Sequence, residues 1–274
     1  MSLEHITKDT ILNGSFAANP SNVGTRFHNY LYENLGLHFV YKAFSPVDIK
    51  GAVTAIRALP MRGAAVSMPF KEQVIELIDE MDKSATAIQS VNTIVNDNGK
   101  LTGYNTDYSA VKNLVETELV PVTGKDTTVV IQGSGGMAKA VTAAFKDAGF
   151  TKVTILARNE KTGNNLAKEY GFEYTQKPIS AEVLVNVTPK GMSGKFAEEL
   201  AFAEDLVKQA KFIFDVVAYP PETPLIKLAK ELNKPYISGD SVHTLQSVEQ
   251  FVLYTGKRPD AELIQDARTH AAKA

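Results

Sequence analysis

Thr128-Val129-Val130-Ile131-Gln132-Gly133-Ser134-Gly135-Gly136-Met137-Ala138 is an apolar, β-branched run that breaks into a glycine-rich turn and then into a helix-forming segment closed near Gly149. Strand, turn and helix in that order are the context a dinucleotide-binding turn requires. Gly133 permits the tight turn, Gly135 lets backbone approach a pyrophosphate, and small Ala138 allows the helix to pack closely on the strand. The amides and dipole of the helix start, around Ser134, Gly136 and Met137, then receive phosphate charge. A tight βα turn without a ligand is the alternative, and the agreement of strand, turn and helix favours binding.

The same rhythm continues outward. Val153 to Ala157, Val183 to Val187 and Phe212 to Val217 read as further strands, with Ala-, Leu- and Lys-rich helical segments between them and Pro189, Pro220, Pro221 and Pro224 in the loops at the strand ends. Strands alternating with helices imply a doubly wound parallel sheet, in which such loops line the ligand crevice. The second strand ends in Ala157-Arg158-Asn159. An NAD enzyme places a carboxylate there for the ribose hydroxyl, whereas the planar fork of Arg158 suits a 2′-phosphate. Lys161 supports that reading, Glu160 tempers it, and a solvated surface cation is the bland alternative for Arg158. NADP is therefore expected ahead of NAD.

The first hundred residues are also α/β but lack a glycine-rich signature. Phe39 to Phe44 reads as a strand, Val47 to Leu59 as a helix and Ala64 to Ser67 as a short buried strand. Val91 to Val95 and Leu101 to Tyr104 flank the hairpin turn Asn96-Asp97-Asn98-Gly99. Glu118 to Asp126, with Pro121 and Gly124, is the best candidate boundary along the chain. Val242 to Tyr254 has helical spacing and ends at Gly256. His28 reads as a structural histidine on a helix whose apolar face is Phe27, Tyr30, Leu31 and Leu35. The other histidines, at 5, 38, 243 and 270, have no metal-ligand spacing, and no metal is expected.

Composition narrows the class. The 274 residues carry 29 basic and 31 acidic side chains, 44% hydrophobic residues and no cysteine. The absence of cysteine removes disulfides, thiolate zinc sites, iron–sulfur clusters and a cysteine nucleophile. Dispersed, near-neutral charge gives no footprint for nucleic acid or an anionic membrane. No apolar run approaches the roughly 18 to 20 residues of a membrane span, and the start MSLEHITKDT has no signal core. A cytoplasmic protein acting on a small molecule is expected, as a monomer or homodimer.

Three segments in the first half carry candidate chemistry: Gly63-Ala64-Ala65-Val66-Ser67-Met68-Pro69-Phe70-Lys71, Val91-Asn92-Thr93 and Asn105-Thr106-Asp107. Each is ambiguous alone; Lys71 could be a solvated cation and Asp107 an N-cap. Taken in order with Gly133-Ser134-Gly135-Gly136, Asn186-Val187-Thr188-Pro189, Asp215, Thr223-Pro224-Leu225, Gly239 and Gln246, they resemble the shikimate dehydrogenase family across essentially the whole chain. The resemblance implies that Lys71 and Asp107 form the acid/base pair, with Asp107 mainly orienting Lys71 and the substrate hydroxyl. It also implies that Ser67, Asn92 and Gln246 bind the ring hydroxyls. Gly133 to Ala138, Arg158, Asn159, Lys161, Thr188, Val216 and Gly239 would hold the cofactor. Ketone reduction by hydride needs a proton donor beside the carbonyl oxygen, which a lysine can supply.

The match departs on the substrate side. Aligned on His28-Asn29, Asn22 and Gly24 stand where the family has two serines for the substrate carboxylate. Losing a donor to a charged group costs about 1.5–3 kcal/mol, unless Ser21, Thr25 or a water substitutes. Ala218 stands at the family's ring-contacting tyrosine, with Tyr219 adjacent.

The expected fold is α/β in two domains: an N-terminal substrate domain (1–106, with helices of 239–274 packing back) and a Rossmann-type NADP-binding domain (107–238), the active site lying in the cleft between them. The expected activity is reversible reduction of 3-dehydroshikimate to shikimate or action on a close ring hydroxy acid. A quinate-type dehydrogenase, an unidentified substrate with weak shikimate activity, and a non-catalytic dinucleotide sensor are the alternatives.

Overall fold

The computed structural model describes residues 6–272; the start of the MSLEHITKDT segment, with His5, and the last two residues lie outside them. The chain divides into two compact units, Met1–Thr106 with Gln246–Ala274, and Asp107–Leu245.

The first unit contains β1 (Ile11–Phe16), α1 (Val23–Asn34), β2 (Phe39–Phe44), α2 (Ile49–Ala58), β3 (Gly63–Val66), β4 (Glu80–Met81), α3 (Lys83–Thr86), β5 (Thr93–Asp97) and β6 (Lys100–Tyr104). They form one sheet in the order β2-β1-β3-β5-β6-β4. β2, β1 and β3 are parallel, whereas β5 is antiparallel to both β3 and β6. The hairpin turn has Asn98 at φ 54° and Gly99 at φ 92°, the double positive φ of a type I′ turn. α2 begins at Ile49 rather than Val47 because the Asp48 carboxylate caps it, accepting from the amides of Lys50 and Gly51. α2 packs on the sheet over Val53, Ile56, Ala64, Val66 and Ile94.

On α1 the buried residues are Phe27, His28, Leu31 and Tyr32. Tyr32, not Tyr30, completes the apolar face, since residues four apart stack on a helix. Tyr30 lies off that face, with its ring centroid 4.8 Å from that of His270.

The second unit contains α4 (Thr106–Leu114), α5 (Val120–Thr123), β7 (Val129–Gln132), α6 (Gly136–Asp147), β8 (Val153–Leu156), α7 (Glu160–Tyr170), β9 (Glu173–Thr175), β10 (Val183–Asn186), α8 (Glu204–Gln209), β11 (Phe212–Asp215), α9 (Pro224–Glu231) and β12 (Tyr236–Ile237). Its sheet runs β12-β11-β10-β7-β8-β9, wholly parallel. The strand order reverses between β7 and β10, the switch point at which doubly wound sheets bind ligands. The stretch from Glu118 is not a linker. A π-helical turn at Val115–Leu119 carries α4 into α5. Pro121, near the start of α5, lacks an amide hydrogen, and a wider turn accommodates that loss.

α10 (Gly239–Thr255) and α11 (Ala261–Ala272) close the chain. The division between units falls within α10, at Leu245/Gln246, rather than at Gly239, because one unbroken helix carries the chain across it. The end of α10 is fastened to β3 by Arg62, whose guanidinium donates to the carbonyls of Tyr254 and Leu253 at 3.0 and 3.2 Å. A cation at a helix C-terminus also opposes the dipole. α11 packs on α1, so the C-terminal helices return to the first unit.

Candidate active site

The glycine turn after β7 is built by sterics. Gly133 takes φ 131°, and a Cβ there would stand 2.8 Å from Cγ2 of Val187. Around Gly135 and Gly136, by contrast, a Cβ would meet nothing within 4 Å. The backbone is thus bare where α6 begins, and the first turn of α6 carries no acidic residue. Ala138 is fully buried, as close packing of helix on strand requires.

This turn opens on a cavity of about 860 Å³, whose lining includes Gly133, Ser134, Gly135, Arg158, Asn159 and Thr188. The dimensions and the bare helix start fit a dinucleotide. Arg158 is exposed and, among the described residues, its guanidinium has no ion pair. Asn159 caps α7, accepting from the amide of Thr162 at 3.1 Å, and the Ser134 hydroxyl lies 2.7 Å from that of Thr162. Gly136, Met137, Ala138, Lys161, Val216 and Gly239 do not line the cavity. Gly239 serves a close backbone approach: a Cβ would sit 2.3 Å from the carbonyl carbon of Val217. Lys190, also in the lining, was not expected; its ammonium reaches the carbonyl of Ala201 at 3.4 Å. Its position two residues after Thr188 was the available signal.

Behind Thr188 lies a saturated polar network. The Asn186 amide donates to Asp215 Oδ1 at 2.9 Å and to the carbonyl of Lys190 at 3.2 Å. Asn186 Oδ1 accepts from the Thr188 amide at 3.0 Å and its hydroxyl at 2.6 Å. Asp215 further accepts from the Val217 amide at 3.1 Å and the Thr223 hydroxyl at 2.6 Å. Burial pushes the Asp215 carboxyl up to about 6, against the opposing pull of those hydrogen bonds.

In the first unit the polar candidates collect at the C-terminal edge of β1 and β3. The antiparallel pairing of β5 with β3 brings Asn92 there. Buried Asn92 Oδ1 accepts from the Thr106 amide at 2.9 Å and from the hydroxyls of Thr106 and Thr93 at 3.2 and 2.9 Å. With three donors on its oxygen, the side chain keeps only its NH₂ group for a ligand. Lys71 is half-buried in the turn after β3, and its carbonyl accepts from the Val91 amide at 2.9 Å, next to Asn92. Ser67 is exposed at the end of β3, its amide bonded to the carbonyl of Phe16 at 2.9 Å.

Asn22 occupies the N-cap position of α1, but its side chain makes no capping bond and is exposed. A Cβ on Gly24 would lie 3.8 Å from the Tyr41 hydroxyl. The Thr25 hydroxyl, on the same turn of α1, is buried and makes no hydrogen bond within the chain. Asp107 is the second residue of α4 rather than its N-cap, since the helix starts at Thr106, two residues before the start that an N-cap at Asp107 implies.

Gln246 is half-buried on α10, while Gln250, one turn later, is the glutamine that reaches this edge. Its amide donates to Thr93 Oγ1 at 2.9 Å and to the carbonyl of Asn92 at 3.3 Å. The i, i+4 spacing was the only hint of it. His28 is structural, stacked on Tyr41 with ring centroids 4.5 Å apart. Burial holds its pKa down to about 3, with a hydrogen bond donated to Gln250 opposing, so the ring is neutral.

A doubly wound domain with a glycine turn at its switch point, joined to a second α/β unit with a polar strand edge, defines a two-domain dinucleotide-binding protein of the oxidoreductase class. Residues 22–94 match the shikimate dehydrogenase substrate binding domain, and residues 114–187 match the shikimate/quinate 5-dehydrogenase family. The chain belongs to the shikimate dehydrogenase family of oxidoreductases. It is 53% identical to a shikimate dehydrogenase-like protein of Haemophilus influenzae, over 97% of this chain and 98% of that one. Identity to the NADP(+) shikimate dehydrogenase of Methanothermobacter thermautotrophicus is 32%, over 88% and 89%. Quinate dehydrogenase from Corynebacterium glutamicum, solved in complex with NAD, superposes with a TM-score of 0.84 at 28% identity, covering 95% and 98%. No helix among the described residues is long and apolar enough to cross a membrane.

Proposed function

We propose that the chain is an NADP-dependent dehydrogenase that interconverts 3-dehydroshikimate and shikimate, or acts on a close ring hydroxy acid, in the cytoplasm. The observation that carries this reading is the polar edge of the first unit, where the Asn92 NH₂ is left over as a donor beside the turn that bears Lys71. A nicotinamide cofactor, when bound along the cavity, supplies the hydride. The chain's own residues supply position and proton. Lys71 protonates the carbonyl oxygen in reduction and accepts the hydroxyl proton in oxidation, with Asp107 orienting it. Asn92 and exposed Ser67 hold ring hydroxyls, and Gln250 fixes the backbone of Asn92 from behind. Gln246, one turn before Gln250 on α10, would hold a further ring hydroxyl.

Asn22 and Gly24 favour an altered carboxylate subsite, and hence weak binding of shikimate or preference for a related acid such as quinate. Steady-state assays with NADP⁺ and NAD⁺ against shikimate and quinate test this. NADP⁺-dependent oxidation of shikimate with saturation only at high concentration is expected. Tight NADPH binding without turnover of either acid would instead support a dinucleotide sensor.

A further inference from the structure

We propose that Asp215 is a positioning residue that sets the hydrogen-bond polarity of the cofactor cavity wall. Through Asn186, it commits the Thr188 hydroxyl to act as an acceptor toward a ribose hydroxyl of the dinucleotide. The inference rests on the reading of that cavity as the cofactor site.

An ionised carboxylate only accepts hydrogen bonds, and burial without a compensating donor is costly. Asp215 is fully buried, and its two oxygens face three donors: the Thr223 hydroxyl, the Val217 amide and the Asn186 side chain. Asn186 must therefore present NH₂ to Asp215, which turns its carbonyl oxygen toward Thr188. The Thr188 hydroxyl gives its one proton to that oxygen at 2.6 Å. One of its two lone pairs takes the Lys190 amide at 3.3 Å. What remains for the cavity, which Thr188 lines, is a single lone pair. A phosphate oxygen, itself an acceptor, gains nothing from it, whereas a ribose hydroxyl does. The carboxyl titrates near 6, so at neutral pH it remains an obligate acceptor.

Dissociation constants for NADPH, read by fluorescence on the full chain, test the relay. Thr188→Val is expected to weaken binding about tenfold, the loss of one net hydrogen bond, and Thr188→Ser to restore it. Asp215→Ala is expected to weaken binding similarly. Asp215→Asn keeps an accepting oxygen for Asn186 and stays within about twofold of the wild type. In the Thr188→Val background, Asp215→Ala adds little, because both act through one hydroxyl. A merely structural Asp215 would lower the melting temperature and leave this cycle additive, which overturns the proposal. If Asp215→Ala fails to fold, wild-type affinity in Thr188→Val overturns it alone. A crystal structure with NADP⁺ is expected to show the Thr188 hydroxyl within hydrogen-bond reach of a ribose hydroxyl; a phosphate oxygen as its nearest partner overturns the assignment. Absence of NADPH binding by the wild type fails the cofactor reading and this inference together. Unaltered binding in every variant fails the inference only.

Discussion

The wall of the cofactor cavity and the polar edge of the first unit are finished to different degrees. Around Thr188, Asn186, Asp215 and Thr223, every side-chain oxygen has a protein partner, and Gly133 and Gly239 stand where a Cβ would clash. At the other edge, the Asn22 side chain caps nothing and Asn92 retains a spare NH₂. A wall that receives an invariant cofactor gains from being satisfied in advance, because preorganisation lowers the cost of binding. An edge that receives a variable ring acid must leave its donors open. Of the departures from the family pattern, Asn22 and Gly24 stand at the start of α1 in the first unit, while Ala218 follows β11 in the second.

The contrast can be broken most forcefully at Lys71. Lys71→Ala is expected to lower kcat about 10²- to 10⁴-fold while leaving NADPH affinity unchanged, as general-acid catalysis implies. Wild-type turnover in that variant removes the lysine from the mechanism.

Asp215 offers the next largest effect, on stability. Its folded pKa of about 6 lies above the ordinary aspartate value of 3.8, so between those pH values the folded chain binds more protons than the unfolded one. Rising pH across that window therefore lowers stability through this group, by at most about 3 kcal/mol. Urea unfolding from pH 4 to 7 is expected to show that slope in the wild type and its loss in Asp215→Asn.

Arg158 sharpens the cofactor side. Removing its unpaired guanidinium in Arg158→Ala is expected to reduce kcat/KM for NADP⁺ about ten- to hundredfold, leaving NAD⁺ nearly unchanged. Equal losses with both cofactors would assign the residue to general packing instead.

The smallest effect belongs to the open edge. Asn22→Ala is expected to raise the KM for the ring acid about tenfold at constant kcat, and Gly24→Ser to lower it. Unchanged KM in both variants would move the carboxylate subsite elsewhere on the edge.

The second unit was legible because its signals are local. An apolar run, glycines at fixed spacing and a helix start declare a βα turn within a dozen residues. β1 was not legible. Asn13, Gly14 and Ser15 interrupt its apolar pattern, yet it lies between β2 and β3 and must keep Gly14, where a Cβ would stand 2.9 Å from the Phe44 ring. Tyr32, rather than the neighbouring Tyr30 of the apolar pattern, is buried because α1 meets β1 through a polar contact, Asn13 to the Tyr32 hydroxyl at 2.7 Å, that no hydrophobic pattern reports.

By itself the sequence determined the α/β class and the glycine turn, and it supplied the candidates proposed for the chemistry, because propensity, periodicity and backbone sterics act over short stretches. Only the tertiary structure decided which glutamine of α10 reaches Asn92, where α10 passes from one unit to the other, and which way the amides of Asn92 and Asn186 face. Those outcomes depend on donors and acceptors far apart along the chain, such as Gln250 and Asn92, whose meeting is fixed only when the sheet and helices have closed around them.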